Sequence, residues 1–190
     1  MHGVLRTRVG YCGGTKTKPS YYSLGDHTEA ISIDYDPGLT SYEDMLGYFW
    51  DGHRCERNNH SRQYMNAVFI RNDTQQEVAS ASLAQRAESL GIPASKVATE
   101  ILPIGDFTYA EGYHHKYYLT RYPDVREFLD RTYPLGKALA DSTAATRLNA
   151  YLGSGMERDW NTFLAELSSY GLPDAMADAM RKMAESQLEA

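Results

Sequence analysis

Three stretches of the chain hold more ionisable and aromatic side chains than turns require. They are Tyr21-Tyr22-Ser23-Leu24-Gly25-Asp26-His27-Thr28-Glu29, the segment from His53 to Tyr64 with His60, Arg62 and Gln63, and Tyr109-Ala110-Glu111-Gly112-Tyr113-His114-His115. Carboxyl, phenol and imidazole groups carry proton-transfer chemistry, so together these stretches are candidates for one shared active site. Taken singly, each has a plainer reading. A tyrosine-rich loop packs on its own rings, an Asp-His-Thr-Glu run caps the start of a strand, and adjacent histidines point in different directions. Metal ligation by His27, Glu29, His53, His60 and His114 is the sharper alternative, but no pair has the i,i+4 spacing that puts two ligands on one helix face. No CxxC, HExxH or Walker-type glycine loop occurs, so no metal, dithiol or nucleotide motif supports a bound cofactor.

Two cysteines, Cys12 and Cys55, cannot build a disulfide framework. With no apolar leader visible after Met1, they read as reduced thiols in a cytoplasmic setting. Cys55 lies between Arg54 and Arg57, and nearby cations lower a thiol's pKa toward the nucleophilic thiolate. Its plainer reading is a free surface thiol. Cys12, before Gly13-Gly14, reads as a small buried residue at a strand end.

The elements that must position these groups follow from periodicity. Residues 4–11 alternate as a half-buried strand, and 29–35 alternate more cleanly, with Ile31, Ile33 and Tyr35 on one side and Ser32 and Asp34 on the other. Thr40 with Glu43 is a capping-box signature opening a helix over 41–52, which carries Met45, Leu46, Phe49 and Trp50 at helical spacing. A third strand is expected at 65–71. A helix over 74–91 follows, with Val78, Leu83, Ala87 and Leu90 as its buried stripe and Gly91 at its end, and then a strand at 97–102. This alternation implies an α/β or α+β fold, a two-layer sandwich around a mixed sheet. Beyond Pro123 the pattern turns helical, at 124–132, 138–152, 157–169 and 173–188. The expected organisation is a core over 1–122 and a C-terminal helical extension over 123–190. The last helix, with Met176, Met180 and Met183, reads as methionine-rich packing on the domain.

At 190 residues with a net charge of −6, the chain suits one domain with an appendage and lacks the basic footprint that nucleic-acid binding needs. No apolar run approaches the ~18 residues of a membrane span, so no membrane partner is expected.

The polar stretches also carry a family resemblance. Arg6-Thr7-Arg8-Val9-Gly10-Tyr11-Cys12-Gly13-Gly14, Pro19-Ser20-Tyr21, Gly25-Asp26-His27-Thr28-Glu29 and Tyr35-Asp36-Pro37 resemble the type A peptide methionine sulfoxide reductases. Phe49-Trp50 with His53, Gln63-Tyr64, Thr99-Glu100-Ile101 and Ala110-Glu111-Gly112-Tyr113-His114 continue the match in order. The resemblance covers roughly residues 3–122. It implies an oxidoreductase that repairs methionine-S-sulfoxide, in proteins or free, after oxidative stress. Glu29 is implied as the carboxyl that protonates the sulfoxide oxygen, with Tyr21 and Tyr64 as phenols that hydrogen-bond it. That is sensible chemistry, because a sulfoxide oxygen leaves only as it gains protons. No cofactor is implied; electrons come from thioredoxin or another thiol reductant.

The family's Gly-Cys-Phe-Trp-Gly motif, whose thiolate attacks the sulfoxide sulfur, is not found in the 190 residues. Tyr48 precedes Phe49-Trp50, which matches a different family segment. Where the family has Gly-Asn-Asp-x-Gly-Thr-Gln-Tyr, this chain has Arg57-Asn58-Asn59-His60-Ser61-Arg62-Gln63-Tyr64. Gly112 replaces an acidic residue, and the usual C-terminal resolving cysteines are missing from the match. Three expectations follow: a functional protein longer than these 190 residues, a pseudoenzyme that binds methionine or methionine sulfoxide without turnover, or relocation of the nucleophile, with Cys55 as the replacement thiol.

Overall fold

The computed structural model describes residues 3–57, 61–134, 136–153 and 159–189, so His60 lies outside the described residues. They divide into two compact units. One comprises residues up to Val4 with Val9–Ala110; the other comprises Leu5–Arg8 with the chain from Glu111 onward.

The first unit is mixed α+β. β1 (Val4–Cys12) lies between β2 (Thr28–Tyr35) and β5 (Thr108–Tyr109) in a three-stranded sheet. β5 runs antiparallel to β1, with Gly10 opposite Tyr109 and Tyr11 opposite Thr108. The antiparallel and parallel pairings expected of a mixed sheet occur in two separate small sheets. The second holds β3 (Ala67–Ile70) parallel to β4 (Glu100–Pro103), pairing Ala67 with Glu100 through Ile70 with Pro103. Parallel strands need a crossover, and α2 (Asp73–Ser89) supplies it. α1 (Tyr42–Asp51) and α2 enclose a core of Leu46, Trp50, Cys55, Val68 and Ala79. The Trp50 indole donates to Ser82 Oγ at 3.0 Å, which satisfies the one polar atom that this burial would strand.

Several local expectations shift. The capping box of α1 is Ser41 with Asp44, one residue beyond Thr40 and Glu43: Ser41 Oγ accepts from the Asp44 N–H at 3.1 Å, and the Asp44 carboxylate accepts from the Ser41 N–H at 2.9 Å. Helix α2 is capped by Asn72, and Leu90, expected in the buried stripe, is exposed as its C-cap residue. The strand expected from Val97 begins at Glu100, because the Ala98 N–H donates to Cys55 O at 2.7 Å instead of joining a ladder. Ile31 is 60% exposed, so the apolar side of β2's alternation faces outward there.

The second unit is helical: α3 (Pro123–Thr132), α4 (Gly136–Ala140), α5 (Thr143–Gly153), α6 (Trp160–Glu166) and α7 (Asp174–Leu188). The single helix expected over 138–152 breaks in two where Ser142 Oγ accepts from the Ala145 N–H at 3.1 Å and caps α5. Leu129, Leu148, Phe163 and Leu167 form its core, and Met176 and Met180 are buried with them.

Lys116 explains why Leu5–Arg8 belongs to this unit. Its ammonium donates to Thr7 O at 2.7 Å, Thr7 Oγ1 at 3.2 Å and Thr146 Oγ1 at 2.6 Å. Three donors meet three acceptors, none of them charged, and the residue is 5% exposed. Arg8 pairs with Asp141 alongside. Burial, then the nearby Arg8 charge, pushes the Lys116 pKa down to about 8, against the opposite pull of Asp141. The unfolded lysine titrates near 10.4, so between these values the unfolded chain binds more protons and this group's contribution to stability rises with pH. Below pH 8 both states are protonated and the burial penalty, about 3 kcal/mol, is fully present. Urea melts of the wild type and Lys116→Met should therefore show the wild type gaining about 2 kcal/mol relative to the variant from pH 7.5 to 10.

Candidate functional site

The site is built on the loop between β1 and β2. Gly14 opens it because a Cβ there would meet the Asp26–His27 backbone at 2.6 Å. The Asp26 carboxylate then gathers the loop, accepting from the Thr15 N–H at 2.8 Å, the Thr15 hydroxyl at 2.8 Å and the Lys16 N–H at 3.1 Å. These donors hold its pKa down at about 2. His27, 2% exposed, accepts from the Gly14 N–H at Nδ1 (3.3 Å) and meets Lys16 O at Nε2 (2.8 Å). Both ring nitrogens are thus committed to backbone, with the proton on Nε2.

The short turn Arg62–Tyr64 is fastened to this loop and to the start of β2. The Arg62 guanidinium donates to Asp26 O at 3.2 Å and Gly13 O at 3.0 Å, while the buried Thr28 hydroxyl donates to Arg62 O at 3.0 Å. The next two residues are thereby delivered to Glu29. Gln63 Nε2 donates to Glu29 Oε1 at 2.6 Å and to the Tyr64 hydroxyl at 3.0 Å. Tyr64, 46% exposed, is also hydrogen-bonded to Tyr21. Tyr21, Glu29 and Tyr64, singled out from the sequence, are therefore brought together: Gln63, to which sequence reasoning assigned no role, links Glu29 to Tyr64, and Tyr64 bonds Tyr21. Its adjacency to Tyr64 was the available signal.

The other sequence candidates lie elsewhere. Cys55 is not a surface thiol: it is 1% exposed and packs in the α1–α2 core, because its apolar neighbours there enclose a small side chain. Cys12 is fully buried, and desolvation raises its pKa to about 11 despite the charges of Arg71 and Arg62. His53 contacts Phe49 O at 2.7 Å and Thr99 Oγ1 at 2.8 Å, so both its nitrogens are engaged. Among the described residues no group of three or more His, Cys, Asp or Glu side chains is placed to hold a metal ion. No helix among them is long and apolar enough to cross a membrane.

Within the cluster, Tyr64 has its pKa raised to about 12, first by the bond to Tyr21, then by burial and the Glu29 charge. The bond to Tyr21 is the largest of these causes. Tyr21→Phe should therefore lower the Tyr64 pKa toward the ordinary value near 10, read by NMR titration of ring-labelled tyrosine.

Known proteins place the chain in a family. The family model described as Peptide methionine sulfoxide reductase matches residues 1–140. A Drosophila melanogaster peptide methionine sulfoxide reductase is 38% identical over 173 residues, 90% of this chain and 67% of that protein. Peptide methionine sulfoxide reductase A5 of Arabidopsis thaliana is 34% identical, over 80% of this chain and 60% of its own length. The chain thus spans about two thirds of these relatives. In fold it is similar to reduced Mxr1 from Saccharomyces cerevisiae, with TM-score 0.56 and 24% identity over 64% of this chain and 73% of that one. Methionine sulfoxide reductase A of Corynebacterium diphtheriae matches with TM-score 0.50 and 25% identity, over 64% of this chain and 65% of that one. With a family model covering most of its length and relatives named as A-type enzymes, the chain belongs to the type A peptide methionine sulfoxide reductase family.

Proposed function

We propose that the cluster of Glu29, Tyr21 and Tyr64 receives the oxygen of methionine-S-sulfoxide, in proteins or as the free amino acid, for reduction to methionine. The observation that carries this reading is the hydrogen-bonded union of a carboxyl and two phenols from separate stretches of chain. The balanced reaction joins two thiols and a sulfoxide to give a disulfide, a sulfide and water. Two electrons pass from sulfur to sulfur, and the departing oxygen takes two protons. Glu29 supplies the first proton, and the phenols steady the oxygen as charge develops on it. The electrons come from thioredoxin or a comparable thiol reductant. The reading assigns this chemistry to residues 1–122, with 123–190 as a helical extension, and two unpaired cysteines favour a reducing, cytoplasmic setting.

The nucleophile is the open half of the site. Cys12 and Cys55 are the thiols of this chain; both are buried, and the Cys12 thiol is held protonated at neutral pH. That observation favours a second reading, in which the chain binds methionine or methionine sulfoxide without turnover.

Dithiothreitol- or thioredoxin-driven reduction of a methionine-S-sulfoxide peptide decides between them, with Cys12→Ser, Cys55→Ser and Glu29→Gln alongside. Turnover that falls ~10²–10⁴-fold in Glu29→Gln and vanishes in one serine variant supports the reductase. Sulfoxide binding without turnover supports the non-catalytic reading. Neither binding nor turnover, in folded protein, removes both.

A further inference from the structure

We infer that Gln63 is a positioning residue of this cluster, and that it determines which oxygen of Glu29 presents the proton. The inference deepens the reading above and rests on its assignment of Glu29 as the proton donor. A primary amide has two N–H donors on one nitrogen. Here the two are spent on two members of the cluster, Glu29 Oε1 at 2.6 Å and the Tyr64 hydroxyl at 3.0 Å. With Oε1 occupied by that N–H, Oε2 is the oxygen left to present a proton when Glu29 acts as the acid.

The consequence for proton transfer is direct. When the proton passes from Oε2 to the sulfoxide oxygen, negative charge appears on the Glu29 carboxylate. A donor already aimed at that carboxylate stabilises the charge with no reorientation during the step. The second N–H holds the Tyr64 hydroxyl at a fixed offset from Glu29, so carboxyl and phenol reach a common oxygen as one unit. Gln63 can do this because its turn is clamped on both sides. Arg62 grips Asp26 O and Gly13 O, and Thr28, the neighbour of Glu29 on β2, grips Arg62 O. The arginine that departs from the family's usual threonine thus supports the amide's geometry.

The test uses the full chain and Gln63→Met, which keeps the length of the side chain and removes both donors. Affinities are measured for two peptides identical except that one carries methionine and the other methionine-S-sulfoxide, with Glu29→Gln as reference and thermal melts as a fold control. The expected result is a wild-type preference for the sulfoxide that drops about tenfold in Gln63→Met, the factor for losing one well-placed hydrogen bond. If the preference is unchanged in Gln63→Met but falls in Glu29→Gln, the positioning role is overturned and the sulfoxide reading stands. Equal weakening for both peptides marks a merely structural residue and also overturns it. A wild type without preference overturns both the inference and the reading beneath it. Should Gln63→Met not melt cooperatively, Gln63→Glu, of the same shape but without N–H donors, takes its place.

Discussion

Asp26 is the residue from which the candidate site hangs. Its carboxylate takes three donors from Thr15 and Lys16 and fixes the loop after β1, while its backbone carbonyl takes the Arg62 guanidinium and fixes the turn before β3. Two stretches far apart in sequence are registered against each other at this one residue. Glu29 follows three residues later on a strand that cannot slip without moving its partner groups, and Tyr64 follows two residues after Arg62. The acid–phenol geometry is thus a by-product of loop anchoring. A charged, multiply bonded carboxylate is well suited to the task, since hydrogen bonds to ionised groups are stronger than neutral ones.

How much of this was legible in the sequence depended on the range of the interaction. Period-2 alternation placed β1 and β2 within a residue of their observed bounds, and the Asp-Pro-Gly turn followed by a polar cap placed α1. Alternation could say that Ile31 and Ile33 share a side, but not that this side is exposed, because coverage is decided by other elements. The cap moved from Thr40 to Ser41 because both offer a hydroxyl and a carboxylate three residues on, and only tertiary placement selects one. β5 has two residues, too few for any period to register. The family motifs located Tyr21, Glu29 and Tyr64, whereas the bridging role of Gln63 depends on two distances that no linear spacing encodes.

The two units solve burial differently. The first encloses a modest apolar cluster between a short sheet and α1 and α2; the second stacks leucines, Phe163 and methionines among its helices. Strand β1 serves both, with Leu5–Arg8 held among the helices by Lys116 and the Arg8–Asp141 pair, and its end held by β5. The cost is a buried cation whose partners are all neutral, accepted because each ammonium proton is satisfied.

Met176 and Met180 sit against this helical core. Thioethers there are shielded from oxidants while α7 is docked and become reactive when it lifts away. Oxidation would place a polar sulfoxide where Phe163 and Leu167 leave no acceptor's partner, so a damaged helix could not simply return. A chain of the methionine sulfoxide reductase family thus keeps part of its own fold in a side chain that the same lesion attacks.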